Sequence, residues 1–140
     1  MTARASRRPD VGESAAVPAV DTSAVNEVRL RGRLGAAPEQ RVLPSGDTVV
    51  SFRVVVDRPP RPGATGSTAR VDTIDCTAFR ADVRRRCLRW AAGDVVEVDG
   101  SLRRRFFRAA GGPASRYDVE VLAAARVARA PAVGRVTMAG

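Results

Sequence analysis

Apolar and polar residues alternate along most of this chain, and that pattern restricts the possible folds more than any other feature. The clearest example is the segment 94–107. Alternate positions there are apolar or glycine: Val96, Val98, Gly100 and Leu102. Because side chains alternate between the two faces of a β-strand, the segment predicts a strand with these positions facing inward. Glycine in mid-strand suggests the bend that a closing barrel requires.

Three further segments share this two-residue period: residues 25–34, with a short continuation at 40–43, then 71–79 and 116–127. The segment 48–57 is dense in β-branched residues, which disfavour a helix and suit a strand. Proline and glycine mark the turn at 44–47 and the long loop at 58–68, and Gly111-Gly112-Pro113 predicts another loop. The pattern therefore predicts five strands.

One segment, residues 81–91, has the spacing of a helix with a single apolar stripe. Asp82 lies in its first turn and Gly93 follows as a stop. Trp90 is expected to anchor the helix in the core, the alternative being a platform for a ligand. Strands and helix then follow the order of an all-β OB-fold, a five-stranded barrel with one helix between the third and fourth strands.

Composition excludes several classes of chemistry. The chain has 140 residues, no histidine and two cysteines, Cys76 and Cys87. Histidine-dependent catalytic relays, histidine-containing metal sites and four-cysteine clusters are therefore impossible, and we expect neither an enzyme nor a cofactor. Basic residues outnumber acidic ones by 24 to 15, and all are arginine. This charge favours a nucleic-acid partner, although the choice of arginine is also typical of GC-rich coding sequence.

The two ends of the chain lack periodicity. We expect a disordered tail at residues 1–24, one folded domain at 25–127 and a flexible tail at 128–140. No apolar run approaches the ~20 residues of a membrane span, and the N-terminus lacks the apolar stretch of a signal peptide. We expect a cytoplasmic protein with reduced cysteines and no membrane partner.

Between residues 25 and 127 the chain resembles the bacterial single-stranded DNA-binding protein family. Short motifs carry this resemblance, in the family's order. They are Val25-Asn26-Glu27-Val28; Leu34-Gly35 with Pro38-Glu39, similar to "NLGxDPE"; Pro44-Ser45-Gly46; Phe52 and Val54; Cys76 to Phe79, similar to "VVxF"; Gly93 to Arg105, similar to "KGxxVxVEGxLRTR"; and Arg116-Tyr117, similar to "DRY". The resemblance implies an OB-fold that binds single-stranded DNA.

The family stacks bases on aromatic side chains and pairs phosphates with basic ones, which suits a binder that tolerates any sequence. By resemblance, Phe107 matches a stacking tryptophan and Phe79 a stacking phenylalanine; for Phe79 the alternative is a place at the end of the core. Arg103 and Arg105 match the basic residues of "LRTR" and share the outward face of Phe107 by strand parity. Three more arginines are expected to contact phosphate: Arg53, Arg58 and Arg61.

Some positions depart from the family pattern. Thr73 stands where the family usually has tryptophan, Asp75 where a basic residue is common, and Pro60 near a third stacking tryptophan. The loss of two platforms, at ~1–3 kcal/mol per stacked base, predicts weaker binding at a surface that includes Thr73. The helix arginines 84–86 and 89 are expected to form a solvated face.

The resemblance implies sequence-tolerant binding and protection of single-stranded DNA in replication, recombination or repair, by a nucleoid-associated homo-oligomer. A tetramer is usual in the family, and a dimer is the alternative. No acid follows Glu120, so we expect no acidic C-terminal tip for recruiting replication proteins. Two other functions remain open: a barrel kept as a protein-interaction or regulatory subunit, and an RNA binder that uses the 2′-hydroxyl.

Overall fold

The computed structural model describes residues 19–60, 63 and 70–131. Within them lie six strands and one helix. In chain order these are β1 (Val28–Leu34), β2 (Glu39–Val42), β3 (Thr48–Asp57), β4 (Val71–Ala78), α1 (Ala81–Cys87), β5 (Val95–Ala109) and β6 (Gly112–Ala128). Residues 1–18 and 132–140 of the predicted tails, and Arg61, lie outside the described residues.

Five of the strands close into a ring. Their order is β1-β5-β6-β4-β3, and β1 pairs again with β3 through Arg33↔Val55 and Leu34↔Val54. All pairs are antiparallel except β4 and β6, which run parallel. The predicted five-stranded barrel is confirmed, with the helix between its third and fourth strands. The predicted continuation at 40–43 is instead a separate strand, β2, which pairs with β3 outside the ring.

The helix is shorter than the predicted 81–91. After Cys87 the backbone N–H groups of Arg89 and Trp90 donate to carbonyls three residues back, which tightens the chain and ends the α-helix. Gly93 then takes a positive φ of 87°. Of the helix arginines predicted to form a solvated face, residues 85, 86 and 89 are exposed and Arg84 is half-buried. Arg84 donates to the Thr48 carbonyl and Arg86 to the Ala124 carbonyl, so both fasten the helix to the barrel.

An aliphatic core fills the ring. Its fully buried side chains are mostly β-branched; they include Val50, Val54, Val96, Val98, Val119 and Val121. Trp90 lies in this core as predicted, with its ring centroid 5.5 Å from that of Phe52 in an edge-to-face contact. At Gly100, where the sequence predicts a bend, the strand pairing is irregular. The register of β5 against β6 shifts there, and a Cβ atom would collide with the Glu120 carbonyl oxygen.

β5 and β6 continue well past the barrel. They pair as far as Ala109↔Gly112, so the loop predicted at 111–113 is wrong: Gly112 and Pro113 already belong to β6. Leu102, predicted to face inward, is 45% exposed, although Val119 opposite it on β6 is buried in the core. We call the projecting part, residues 103–117, the arm. The Asn26 side-chain amide holds its base by donating to the Leu102 carbonyl and accepting from the Leu102 N–H.

Candidate nucleic-acid interface

The outward side chains of β3 and β4 form a surface that continues onto the arm. We call the first part the barrel face; its residues include Arg53, Val55, Thr73, Asp75 and Thr77, which pair across the two strands. The second part, the outer arm face, consists of Arg103, Arg105 and Phe107 on β5 with Arg116 on β6. The parallel pairing of β4 with β6 joins the two parts.

A groove with a volume of about 520 Å³ crosses the barrel face. It runs from the turn after β1 to the base of the arm. Its lining includes Ala37, Glu39, Arg53, Thr73, Asp75 and Arg116. Thr73, at the position where the family usually has tryptophan, is therefore an exposed part of the groove wall.

Aspartates form ion pairs with two arginines of β1 and β3, Arg33 and Arg53. Arg53 donates to Asp75 across the β3–β4 pair, with 3.0 Å between Nε and Oδ1. Arg33 lies 3.2 Å from Asp57 in the same way. A phosphate that approaches Arg53 must therefore compete with a carboxylate already bound there.

Arg58 is also paired, and it lies apart from the other predicted residues. It donates to Asp72 at 2.7 Å, and this hydrogen bond lowers the pKa of the Asp72 carboxyl. Arg58 follows β3 on the side of Val54 and Val56, which strand alternation places opposite Arg53. Of the three arginines expected to contact phosphate, Arg53 and Arg58 therefore lie on opposite sides of β3, and Arg61 lies outside the described residues.

A buried carboxylate fixes Arg105 at the base of the arm. Asp118 is 2% exposed and accepts hydrogen bonds from the Thr77 hydroxyl at 2.8 Å and from Arg105 Nε at 3.0 Å. The guanidinium carbon of Arg105 lies 5.0 Å from the centre of the Phe79 ring. Phe79 is half-buried and lies outside the core cluster, so it stacks with Arg105 and does not close the barrel end.

Further out, the outer arm face presents a second ring with a cation. The Arg116 guanidinium lies 5.8 Å from the centre of the Phe107 ring, and Phe107 is 46% exposed. Arg105 and Arg116 are directly paired across β5 and β6, so the two arginine–ring units are neighbours. Arg103 donates to Glu120 at 3.1 Å on the same face. Strand parity correctly predicted that Arg103, Arg105 and Phe107 share a face.

The arm differs from the barrel in charge. Residues 103–117 contain five arginines and no Asp or Glu. Two of the five reach carboxylates at the arm's base, whereas Arg104, Arg108 and Arg116 have no carboxylate within 4.0 Å in the described part of the chain. The arm is therefore a cationic projection.

The two cysteine thiols of the chain are buried. Burial raises the pKa of both Cys76 and Cys87 to about 12, so the thiols stay protonated and are poor nucleophiles. Across residues 19–60, 63 and 70–131, no group of three or more potential metal ligands occurs. No helix in those segments is long and apolar enough to cross a membrane.

Sequence reasoning missed five residues of the arm: Arg104, Phe106, Arg108, Arg116 and Tyr117. Arg104 and Phe106 alternate with the predicted residues on β5, and Tyr117 faces Arg104 from β6. The signal was present in the run of three arginines and two phenylalanines at 103–107, because alternation gives each face of a strand its own arginine and ring.

Comparison with known proteins agrees with this geometry. The Single-strand binding protein family matches residues 25–129. A single-stranded DNA-binding protein of Oceanobacillus iheyensis is 32% identical over 99 residues, which are 71% of this chain and 60% of that protein. One from Thermotoga maritima is 34% identical over 100 residues, covering 70% of this chain and 69% of the relative. The chain thus spans less than two thirds of the length of the first relative.

A solved structure shares the fold. The Plasmodium falciparum SSB in complex with ssDNA aligns with a TM-score of 0.62 at 19% identity, covering 78% of this chain and 98% of that one. The predicted OB-fold is confirmed by this match.

Proposed function

Because the chain belongs to the single-strand binding protein family, we propose that it binds single-stranded DNA through the outer arm face and the adjoining barrel face. The observation that carries this proposal is the pair of neighbouring arginine–ring units, Arg105 with Phe79 and Arg116 with Phe107. The family consists of binding proteins, not enzymes.

Each unit has a flat surface on which a base can stack and a positive charge that attracts a phosphate. A base on an aromatic ring is worth ~1–3 kcal/mol whatever its identity, because every base has a π-face. Phe107 is half-exposed and available for such stacking. Phe79 is already covered in part by Arg105, so a base there stacks on the ring and guanidinium together.

Phosphate contacts come mainly from the arm. Arg116 has no carboxylate partner among the described residues. Arg53 is paired with Asp75, and this ion pair weakens its attraction for phosphate. The barrel groove beside Thr73 guides the strand without a large platform. We therefore propose that Arg53 and Thr73 contribute less than the arm, and that binding is weaker than with tryptophan at position 73.

We also propose a cytoplasmic homo-oligomer that protects single strands exposed in replication, recombination or repair. β1 pairs with β5 along Val28–Arg33, but β3 meets it only at Arg33 and Leu34. Within the described chain the other edge of residues 28–32 has no strand partner, which supports edge-to-edge pairing with a second copy. Light scattering would distinguish a dimer or tetramer from the 14.9 kDa monomer.

The test of DNA binding is an anisotropy titration with labelled oligo-dT. Phe107→Ala is expected to weaken binding about tenfold through the lost stacking. Arg85→Ala, on the exposed helix surface, is the control and is expected to leave affinity within about twofold. Absence of salt-sensitive binding by the wild-type protein at about 50 mM salt would overturn the proposal, because phosphate-driven association strengthens steeply as salt falls.

A further inference from the structure

The arm carries a second arginine–aromatic cluster on the side opposite Phe107. We call it the second arm face; it consists of Arg104, Phe106 and Arg108 on β5 and Tyr117 on β6. Arg104 is paired directly with Tyr117 across the two strands. Its guanidinium carbon lies 5.1 Å from the centre of the Phe106 ring and 5.7 Å from that of Tyr117. One cation therefore bridges two rings.

Both rings are unusually open to solvent. Phe106 is 74% exposed and Tyr117 is 58% exposed. Their alternation continues that of the core residue Val119, but the arm has left the barrel, so the core does not cover them. Grouped apolar side chains of this size on a surface mark an interaction site more often than single ones do.

We propose that the second arm face is a further contact for single-stranded DNA, so that a long strand binds both sides of the arm. This inference rests on the proposed function. The positive charge of this face favours a polyanionic ligand. Arg104 and Arg108 have no carboxylate within 4.0 Å in the part of the chain that the structure describes. A polyanion satisfies both arginines while its bases stack on Phe106 and Tyr117.

A second copy of the chain is a poor occupant. A two-fold symmetric contact through this face would bring the arginines of one arm against those of the other. The arm supplies no acidic residue between positions 103 and 117 to offset that repulsion. Exposed rings beside uncompensated guanidinium groups therefore fit a nucleic acid better than a copy of the same surface.

The two arm faces lie on opposite sides of a two-stranded ribbon. A strand bound on the outer face reaches the second face only by passing around an edge of the ribbon or its tip at residues 110–111. A short oligonucleotide occupies one face, and only a longer one occupies both. Dependence on strand length is therefore the signature of the second contact.

The experiment titrates labelled oligo-dT of two lengths. One has about 8 nucleotides, within the ~4–16 that one OB-fold occupies, and the other has about 30 and exceeds that range. The adjacent variants Phe106→Ala and Phe107→Ala form a matched pair on opposite faces. Phe107→Ala is expected to weaken binding of both lengths. Phe106→Ala is expected to leave the short oligonucleotide within about twofold and to weaken the long one about fivefold.

Each other outcome has a distinct meaning. If Phe106→Ala binds both lengths like wild type while Phe107→Ala is impaired, the inference is overturned and the proposed function stands. If the wild-type protein binds neither length, the proposed function itself fails. If Phe106→Ala lowers the molecular mass in light scattering, a second copy covers the face and the inference is again overturned. Photocrosslinking of 5-iodouracil in the long oligonucleotide is expected to modify Phe106 or Tyr117, and crosslinks confined to the outer arm face would contradict it.

Discussion

The barrel and the arm both present arginines to solvent, but they differ in what those arginines touch. In the barrel, Arg33 and Arg53 each bond an aspartate across a strand pair. In the arm, Arg104 and Arg116 lie against aromatic rings. An exposed ion pair adds ~0–1 kcal/mol to stability and cancels the charge that would attract phosphate. The position of an arginine on an OB-fold therefore does not establish that it binds DNA; its cross-strand neighbour decides.

Arg105 stands between these two classes. It is paired with a carboxylate, yet that carboxylate is buried and also accepts from Thr77. The pairing directs the guanidinium onto Phe79, where it remains part of the outer arm face. We therefore interpret Asp118 as a residue that positions Arg105, and the exposed Asp75 as one that only neutralises Arg53.

The largest expected effect comes from the buried member of that pair. Asp118→Ala removes the acceptor of two hydrogen bonds, and it is expected to lower the free energy of unfolding by about 2–3 kcal/mol. Asp99→Ala breaks an exposed pair with Arg29 and is expected to cost under about 1 kcal/mol. Urea unfolding measures both, and equal costs would contradict the positioning role of Asp118.

The next effect is expected in the free energy of unfolding, without a change in DNA affinity. Asp94 lies at the barrel end of β5, opposite the arm. Its burial raises the carboxyl pKa, but hydrogen bonds from the Ala91 and Ala130 N–H groups and from Arg126 outweigh this and hold the pKa below its usual range. A carboxyl whose pKa is lower in the folded than in the unfolded protein stabilises the fold at any pH above its unfolded-state pKa. This stabilisation is lost below about pH 4, as the pH falls through the folded-state pKa.

Asp94→Asn is therefore expected to lose about 2 kcal/mol at neutral pH and to show a flatter dependence of stability on pH between about 5 and 2. Thermal unfolding across this range measures it. The oligo-dT affinity of the folded variant should stay at the wild-type value. A weakened affinity would mean that the hydrogen bonds of Asp94 support DNA binding as well as stability.

The smallest effect should come from releasing one barrel arginine. Asp75→Asn frees Arg53 at the groove, and we expect affinity for oligo-dT to rise about threefold with a salt slope steeper by about 0.7. Asp99→Asn changes net charge equally but frees Arg29 on another strand pair. An equal gain in both variants would show that net charge alone sets affinity.

Much of the fold could be predicted from alternation, but the length of the arm could not. Gly112 and Pro113 are usual loop residues, yet both belong to β6 opposite Ala109 and Arg108. The outward face of Arg103, Arg105 and Phe107 followed from parity within one strand. The partners of these arginines did not, because Thr77 and Asp118 meet through a parallel pairing whose register local sequence does not encode.

The most direct test compares two triple variants that remove the same charge. One replaces Arg104, Arg108 and Arg116 of the arm by alanine, and the other replaces the paired barrel arginines Arg33, Arg53 and Arg58. The measurement is the slope of log affinity for oligo-dT against log salt concentration. We predict that the arm variant loses about 2 from the steepness of this slope and binds about 100-fold more weakly, while the barrel variant loses under about 1. Equal losses, or a larger loss for the barrel variant, would contradict the conclusion that the arm carries most of the DNA binding.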